Sequence, residues 1–147
     1  MKPTLRVLLA ALVLFISPSV KSADWQVLYE EDLTNVGHIT YSVDRSTLTR
    51  HGNIVSAWLL VNYSTEQSLL DEDHEYQTYR SGKSLVYIRC RQHTLTTVID
   101  QIYSEAMGRG TLLAQNNSIF AHDAKDLHWQ SASVWPFVAR QSAILCK

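Results

Sequence analysis

The chain is predicted to fold as an α+β domain, an antiparallel sheet closed by a C-terminal helix. Three observations predict it. Short runs rich in β-branched and aromatic residues are separated by turn residues along most of the chain. One ten-residue run, 54–63 (IVSAWLLVNY), carries apolar side chains at both parities. The last apolar run, 137–146 (FVARQSAILC), follows a proline and lacks the alternation of a strand.

The N-terminal segment reads as a secretory signal peptide. Lys2 and Arg6 form a basic start, residues 7–16 (VLLAALVLFI) form an uninterrupted apolar run, and Pro18 closes it. Ten apolar residues fall short of the roughly 20 that span a bilayer as a helix but suit a cleavable signal. Val20 and Ser22 stand three and one residues before Ala23, where signal peptidase favours small side chains. Residues 1–22 are therefore expected to be removed and residues 23–147 to form one domain. Of 13 basic residues three lie in the signal, leaving ten against 14 acidic ones, a net charge of −4. That mild acidity argues against a nucleic-acid binder that works by neutralising phosphates.

Residues 25–29 form the first expected strand and 38–44 the second, with a turn near Asn35 and Gly37. Residues 46–50 follow, ending at the turn His51, Gly52, Asn53. The run 54–63 is expected to be central and covered on both faces, since neither parity is polar. The acidic stretch 64–75 is expected to be an exposed loop. Strands at 75–80 and 84–92 are expected to flank a hairpin turn at Ser81, Gly82, Lys83. A strand at 94–103 pairs next, and 114–133 is expected to be irregular. Pro136 suits a first helical turn, and Phe137, Gln141, Ile144 and Leu145 fall near one face of the helix behind it.

Both cysteines lie in the exported part, where oxidising conditions favour pairing. Alternation along 84–92 places Val86, Ile88 and Cys90 on one face and Tyr87, Arg89 and Arg91 on the other. If the helix lies on the sheet, a bridge from Cys90 to Cys146 pins its end to the strand beneath. The competing readings are a reactive thiol and an intermolecular bridge. Neither cysteine has the spacing of a redox or zinc motif.

No nucleophile elbow or HExxH pair is present. His122, Asp123, Asp126 and His128 read as a solvated loop rather than a metal site, and so does the acidic run 71–75, which lacks the spacing of a calcium loop. Charge separation is more informative: residues 76–99 hold Arg80, Lys83, Arg89 and Arg91 and no acid. A basic face that includes Tyr87 suits an acidic protein segment or a sulfated glycan. Tyr87, Arg89 and Arg91 are accordingly the candidate partner-binding residues. No catalytic, cofactor-binding or metal-binding residue is assigned, and no cofactor is expected.

The order of short motifs resembles the surface-adhesin protein E family of Gram-negative bacteria. The matching elements are Trp25, the stretch Tyr41, Ser42, Val43, Asp44, then Ser46, and Gly52 leading to Ala57 and Trp58. Tyr79, Ser81, the stretch Ile88, Arg89, Cys90, then Gly110, Trp129, and Pro136 ahead of Cys146 complete the order. The resemblance implies a sheet of about six antiparallel strands with a C-terminal helix tied to it by a disulfide. It also implies an exported, non-enzymatic binding module that attaches to host extracellular-matrix or plasma proteins, placed in the periplasm or on the outer cell surface. The alternative is a periplasmic domain that binds a small ligand or assists envelope assembly. These two differ in shape, because a protein-binding patch is shallow and a small-ligand site is concave.

Overall fold

The computed structural model describes residues 22–70, 74–117, 127–131 and 136–147. Its strands are β1 (Trp25–Leu33), β2 (Gly37–Asp44), β3 (Thr49–His51), β4 (Ile54–Leu70), β5 (Tyr76–Arg89), β6 (Thr94–Glu105), β7 (Arg109–Asn117) and β8 (Gln130–Ser131). The single α-helix among the described residues is α1, Pro136–Leu145. The main sheet runs β1-β2-β4-β5-β6-β7, with β3 on β4 and β8 on β6. Every pairing is antiparallel. The α+β class and the six-stranded ladder with its terminal helix are thus as expected.

The core forms where α1 crosses the sheet. Val43, Val55, Ala57, Leu59, Val86, Ile88 and Leu95 supply the sheet side and Val138 and Leu145 the helix side, with Leu28, Cys90 and Cys146 packed against them. Val55, Ala57 and Leu59 share one parity of β4, and each Val or Leu side chain removed from water contributes about 1.5–3 kcal/mol. Of the expected helix face, Gln141 and Leu145 are buried and Ile144 is half-buried, while the side chain of Phe137 lies outside the described part.

Two devices hold the helix end. Cys90 and Cys146 form a disulfide with Cα atoms 5.5 Å apart, within the ordinary range for such a bridge. From β3, the Arg50 guanidinium donates to the carbonyl oxygens of Leu145 (3.1 Å) and Lys147 (3.2 Å). A cation there satisfies carbonyls that the helix leaves unpaired and opposes the negative end of its dipole. Cys90 is itself fixed by the neighbouring turn: its N–H donates to the Asn53 carbonyl (2.9 Å), and the Arg91 N–H donates to Asn53 Oδ1 (2.7 Å).

Three expectations are corrected. Ser81, Gly82 and Lys83 make no turn; β5 runs straight through them, paired with β4 and β6. The small, buried Ser81 serves a close approach instead. A single 3-10 turn at Ala106–Gly108 folds back over β4 and β5. The Ser81 hydroxyl, fully buried, donates to the Glu105 carbonyl and accepts from the Gly108 N–H (2.9 Å). Asn62 Oδ1 accepts from the Met107 N–H (2.7 Å) beside it.

Residues 64–70 are not a loop but the continuation of β4. Between the pairs Asn62↔Ser81 and Gln67↔Tyr79, five steps along β4 face two along β5, so the excess is taken up as a bulge. The bulge is tied down by Thr65 Oγ1 and Gln67 Nε2, which donate to the Val36 carbonyl at 2.7 and 3.1 Å. Gly37 fits this crowded spot because its φ is +87° and a Cβ would meet Ser64 Oγ at 2.8 Å. Finally, residues 114–117 belong to β7, an edge strand where irregular chain was expected. The rest of that expected stretch, apart from residues 127–131, lies outside the described residues.

Candidate binding cleft

Helix α1 covers one end of the sheet face and leaves a cleft of about 480 Å³ beside it. Its floor is aliphatic: Leu59 and Val61 from β4, Val86 from β5 and Leu95 from β6. Its walls are aromatic and polar, with Tyr29 and Glu31 from β1, Tyr41 from β2, Tyr63 from β4, and Arg140 and Gln141 from α1; Ser84 and Thr97 complete it. Strand alternation produces the grouping. Tyr29 pairs with Tyr41, Tyr41 with Val61, and Val61 with Gly82, so their side chains align across the sheet on the helix side.

One wall is a stack. The rings of Tyr29 and Tyr41 lie 4.3 Å apart at 20°, and the Arg140 guanidinium sits 4.7 Å from the Tyr29 ring centre. Arg140 Nη1 also approaches Glu31 Oε2 at 3.6 Å, while the Tyr41 hydroxyl donates to Glu31 Oε1 at 2.8 Å. Tyr63 meets Tyr79 edge to face at 5.6 Å. The Tyr29 hydroxyl is buried with no hydrogen-bond partner among the described residues.

Burial makes these phenols hard to ionise. The Tyr29 pKa is raised to about 12, first by desolvation and then by the Glu31 carboxylate, with Arg140 opposing. Tyr63 is raised to about 12 by desolvation and then by Tyr79. Tyr41 rises further, by desolvation and then by its hydrogen bond to Glu31. All three therefore stay neutral donors at physiological pH. The described residues lining the cleft include no histidine or cysteine, and the Ser84 hydroxyl is bonded to Asp100 Oδ1. The arrangement is that of a site that holds a molecule by packing and a few hydrogen bonds.

The residues singled out from the sequence lie elsewhere. Tyr87 and Arg89 point from β5 to the face opposite Val86 and Ile88. Both are half-buried, and the Arg89 guanidinium stacks on the Trp129 ring at 3.8 Å. Arg91 lies beyond β5, exposed in the turn leading to β6. The cleft residues were not singled out, because no local motif marks them and they meet only in three dimensions. Among the described residues, no group of three or more His, Cys, Asp or Glu side chains is placed to hold a metal ion; of the sequence candidates, Asp71, Glu72, Asp73, His122, Asp123 and Asp126 lie outside that part.

The β1–β2 hairpin carries a separate titrating group. His38 Nδ1 is 2.9 Å from Asp32 Oδ1 and Nε2 is 3.6 Å from Glu30 Oε1. Its pKa is raised, chiefly by the hydrogen bond to Asp32. Since the folded value exceeds the unfolded one near 6.5, the small stabilisation is complete below about pH 6.5 and is lost as pH rises through the folded value. An NMR titration should give a His38 midpoint above 6.5 that falls back in Asp32→Asn; an unchanged midpoint in that variant would show the pair to be unimportant.

A meandering antiparallel sheet, capped by a short helix that a disulfide ties to the end of a central strand, defines a class of small two-layer α+β domain. The model of the family described as surface-adhesin protein E matches residues 25–147, and the chain belongs to that family. Solved structures of similar fold include crystal form II of Haemophilus influenzae protein E, at 21% identity and a TM-score of 0.52, covering 72% of this chain and 79% of that one. Protein E from non-typeable Haemophilus influenzae is similar at 21% identity and a TM-score of 0.51, over 84% of this chain and 78% of that one. The sequence matches no curated protein. Among the described residues, no helix is long and apolar enough to cross a membrane.

Proposed function

We propose that this protein is an exported, non-enzymatic binding module that attaches to host extracellular-matrix or plasma proteins. The observation that carries this reading is the family match over residues 25–147. Residues 1–22 direct export and are removed before Ala23, and the mature domain works in the periplasm or on the outer surface of a Gram-negative cell. Tyr87, Arg89 and Arg91 contribute to the partner-binding surface, since basic and aromatic side chains are favoured where an acidic segment docks.

The test uses exported protein whose intact mass begins at Ala23, exposed to immobilised matrix and plasma proteins. Replacing Arg89 and Arg91 together by Ala should weaken attachment in a salt-sensitive way while changing stability by no more than about 1 kcal/mol, the scale of one cation–π contact. Undiminished binding by the double variant would remove this face from the site. Failure of the parent protein to bind any matrix or plasma protein would overturn the reading as a whole.

The cleft supports a second reading, a periplasmic domain that binds a small ligand, because it is concave, apolar at its floor and furnished with a few polar groups at its rim.

A further inference from the structure

We propose that the cleft between α1 and the sheet binds a single-chain amphiphile with a zwitterionic head group, of the lysophospholipid type. This rests on the second reading above and names the ligand class for that site. The cleft's roughly 480 Å³ falls within the usual range of small-molecule sites, about 300–1,000 Å³. Leu59, Val61, Val86 and Leu95 offer an aliphatic track to one hydrocarbon chain.

The rim selects the head group. Glu31 and Arg140 stand 3.6 Å apart, too far for a hydrogen bond, so the guanidinium keeps donors and Glu31 Oε2 keeps acceptor capacity for a ligand. Both are partly exposed, with 29% and 52% of their side-chain surface accessible. A head group of one net charge gains from one member of this couple and is repelled by the other. A zwitterion lies antiparallel to it, its anionic group toward Arg140 and its cationic group toward Glu31. The Tyr29 hydroxyl, buried with no hydrogen-bond partner among the described residues, adds one unspent hydrogen bond.

The test is calorimetric titration of the purified protein with alkylphosphocholines of increasing chain length, all below their critical micelle concentrations. Affinity should rise roughly fourfold with each added methylene until the track is filled. At equal chain length the phosphocholine should bind about fivefold more tightly than the carboxylate or the trimethylammonium, and Arg140→Gln should erase its advantage over the trimethylammonium while leaving that over the carboxylate. Val61→Trp, which fills the floor, should abolish binding of every chain without lowering the melting temperature. If the carboxylate binds as well as the phosphocholine while Val61→Trp still blocks both, the head-group assignment is wrong but the cleft remains a ligand site. If affinity ignores chain length, if Val61→Trp has no effect, or if the protein adsorbs only to phosphatidylcholine vesicles, the proposal and the small-ligand reading both fail.

Discussion

Replacing Cys90 and Cys146 together by Ala should lower the free energy of unfolding by roughly 4 kcal/mol, the chain-entropy value for a closed loop of this size. The two residues are 56 positions apart, and that loop holds all of β6 and β7. Cutting the bridge frees the unfolded chain. It also removes two sulfur atoms packed against the core, so the folded state loses contacts as well. Alanine is the right probe, because serine would add half-buried hydroxyls with a cost of their own. Urea titration should show a lower midpoint together with a steeper dependence on denaturant, since the uncrosslinked chain exposes more surface when it unfolds. A loss below about 1 kcal/mol would mean that the Arg50 contacts and the apolar helix face already fix α1, with the bridge redundant.

Leu60→Ala should cost about 2–5 kcal/mol, as much as the same truncation at Ile88 in the core under α1. Leu60 points to the opposite face of β4 from Leu59, yet its exposure is 0%, equal to that of Ile88. Its burial reflects the Ala106–Gly108 turn, which folds over this face and is held by Asn62, two positions along β4 from Leu60, and by Ser81 opposite Asn62. Parallel denaturation of the two variants makes the comparison. A Leu60→Ala loss below about 1 kcal/mol, beside a large loss at Ile88, would show that the turn covers Leu60 too loosely to count as a second core.

These two residues also show why the sequence was only partly legible. Apolar residues at both parities of 54–63 announced a strand covered twice, and Leu59 and Leu60 are indeed both buried. Alternation placed Cys90 with Ile88, and Pro136 opened the helix, so the bridge followed from local patterns. Ser81 and Gly82 were misread because small residues serve both tight turns and close packing, and only the Ala106–Gly108 turn above them decides which. The edge strand β7 was missed because its exposed end, Gln115 to Asn117, carries no apolar alternation. The cleft was invisible for a different reason. Tyr29, Tyr41, Tyr63 and Arg140 are ordinary singly, and register across the strands, together with the crossing of α1, brings them together.

The order of the sheet has a kinetic consequence. Apart from the short β3, which belongs to the approach to β4, each strand of the main ladder lies beside the next in the chain, so pairing proceeds through local hairpins with little loop-closure cost. The distant encounter is that of α1 with the face of the sheet. Sulfur oxidation before the meander forms must close its loop against the full entropy of a flexible chain; afterwards, β6 and β7 have already drawn that loop in and the helix delivers Cys146 to a waiting Cys90. The bridge is thus a latch on a completed sheet rather than a guide to its assembly.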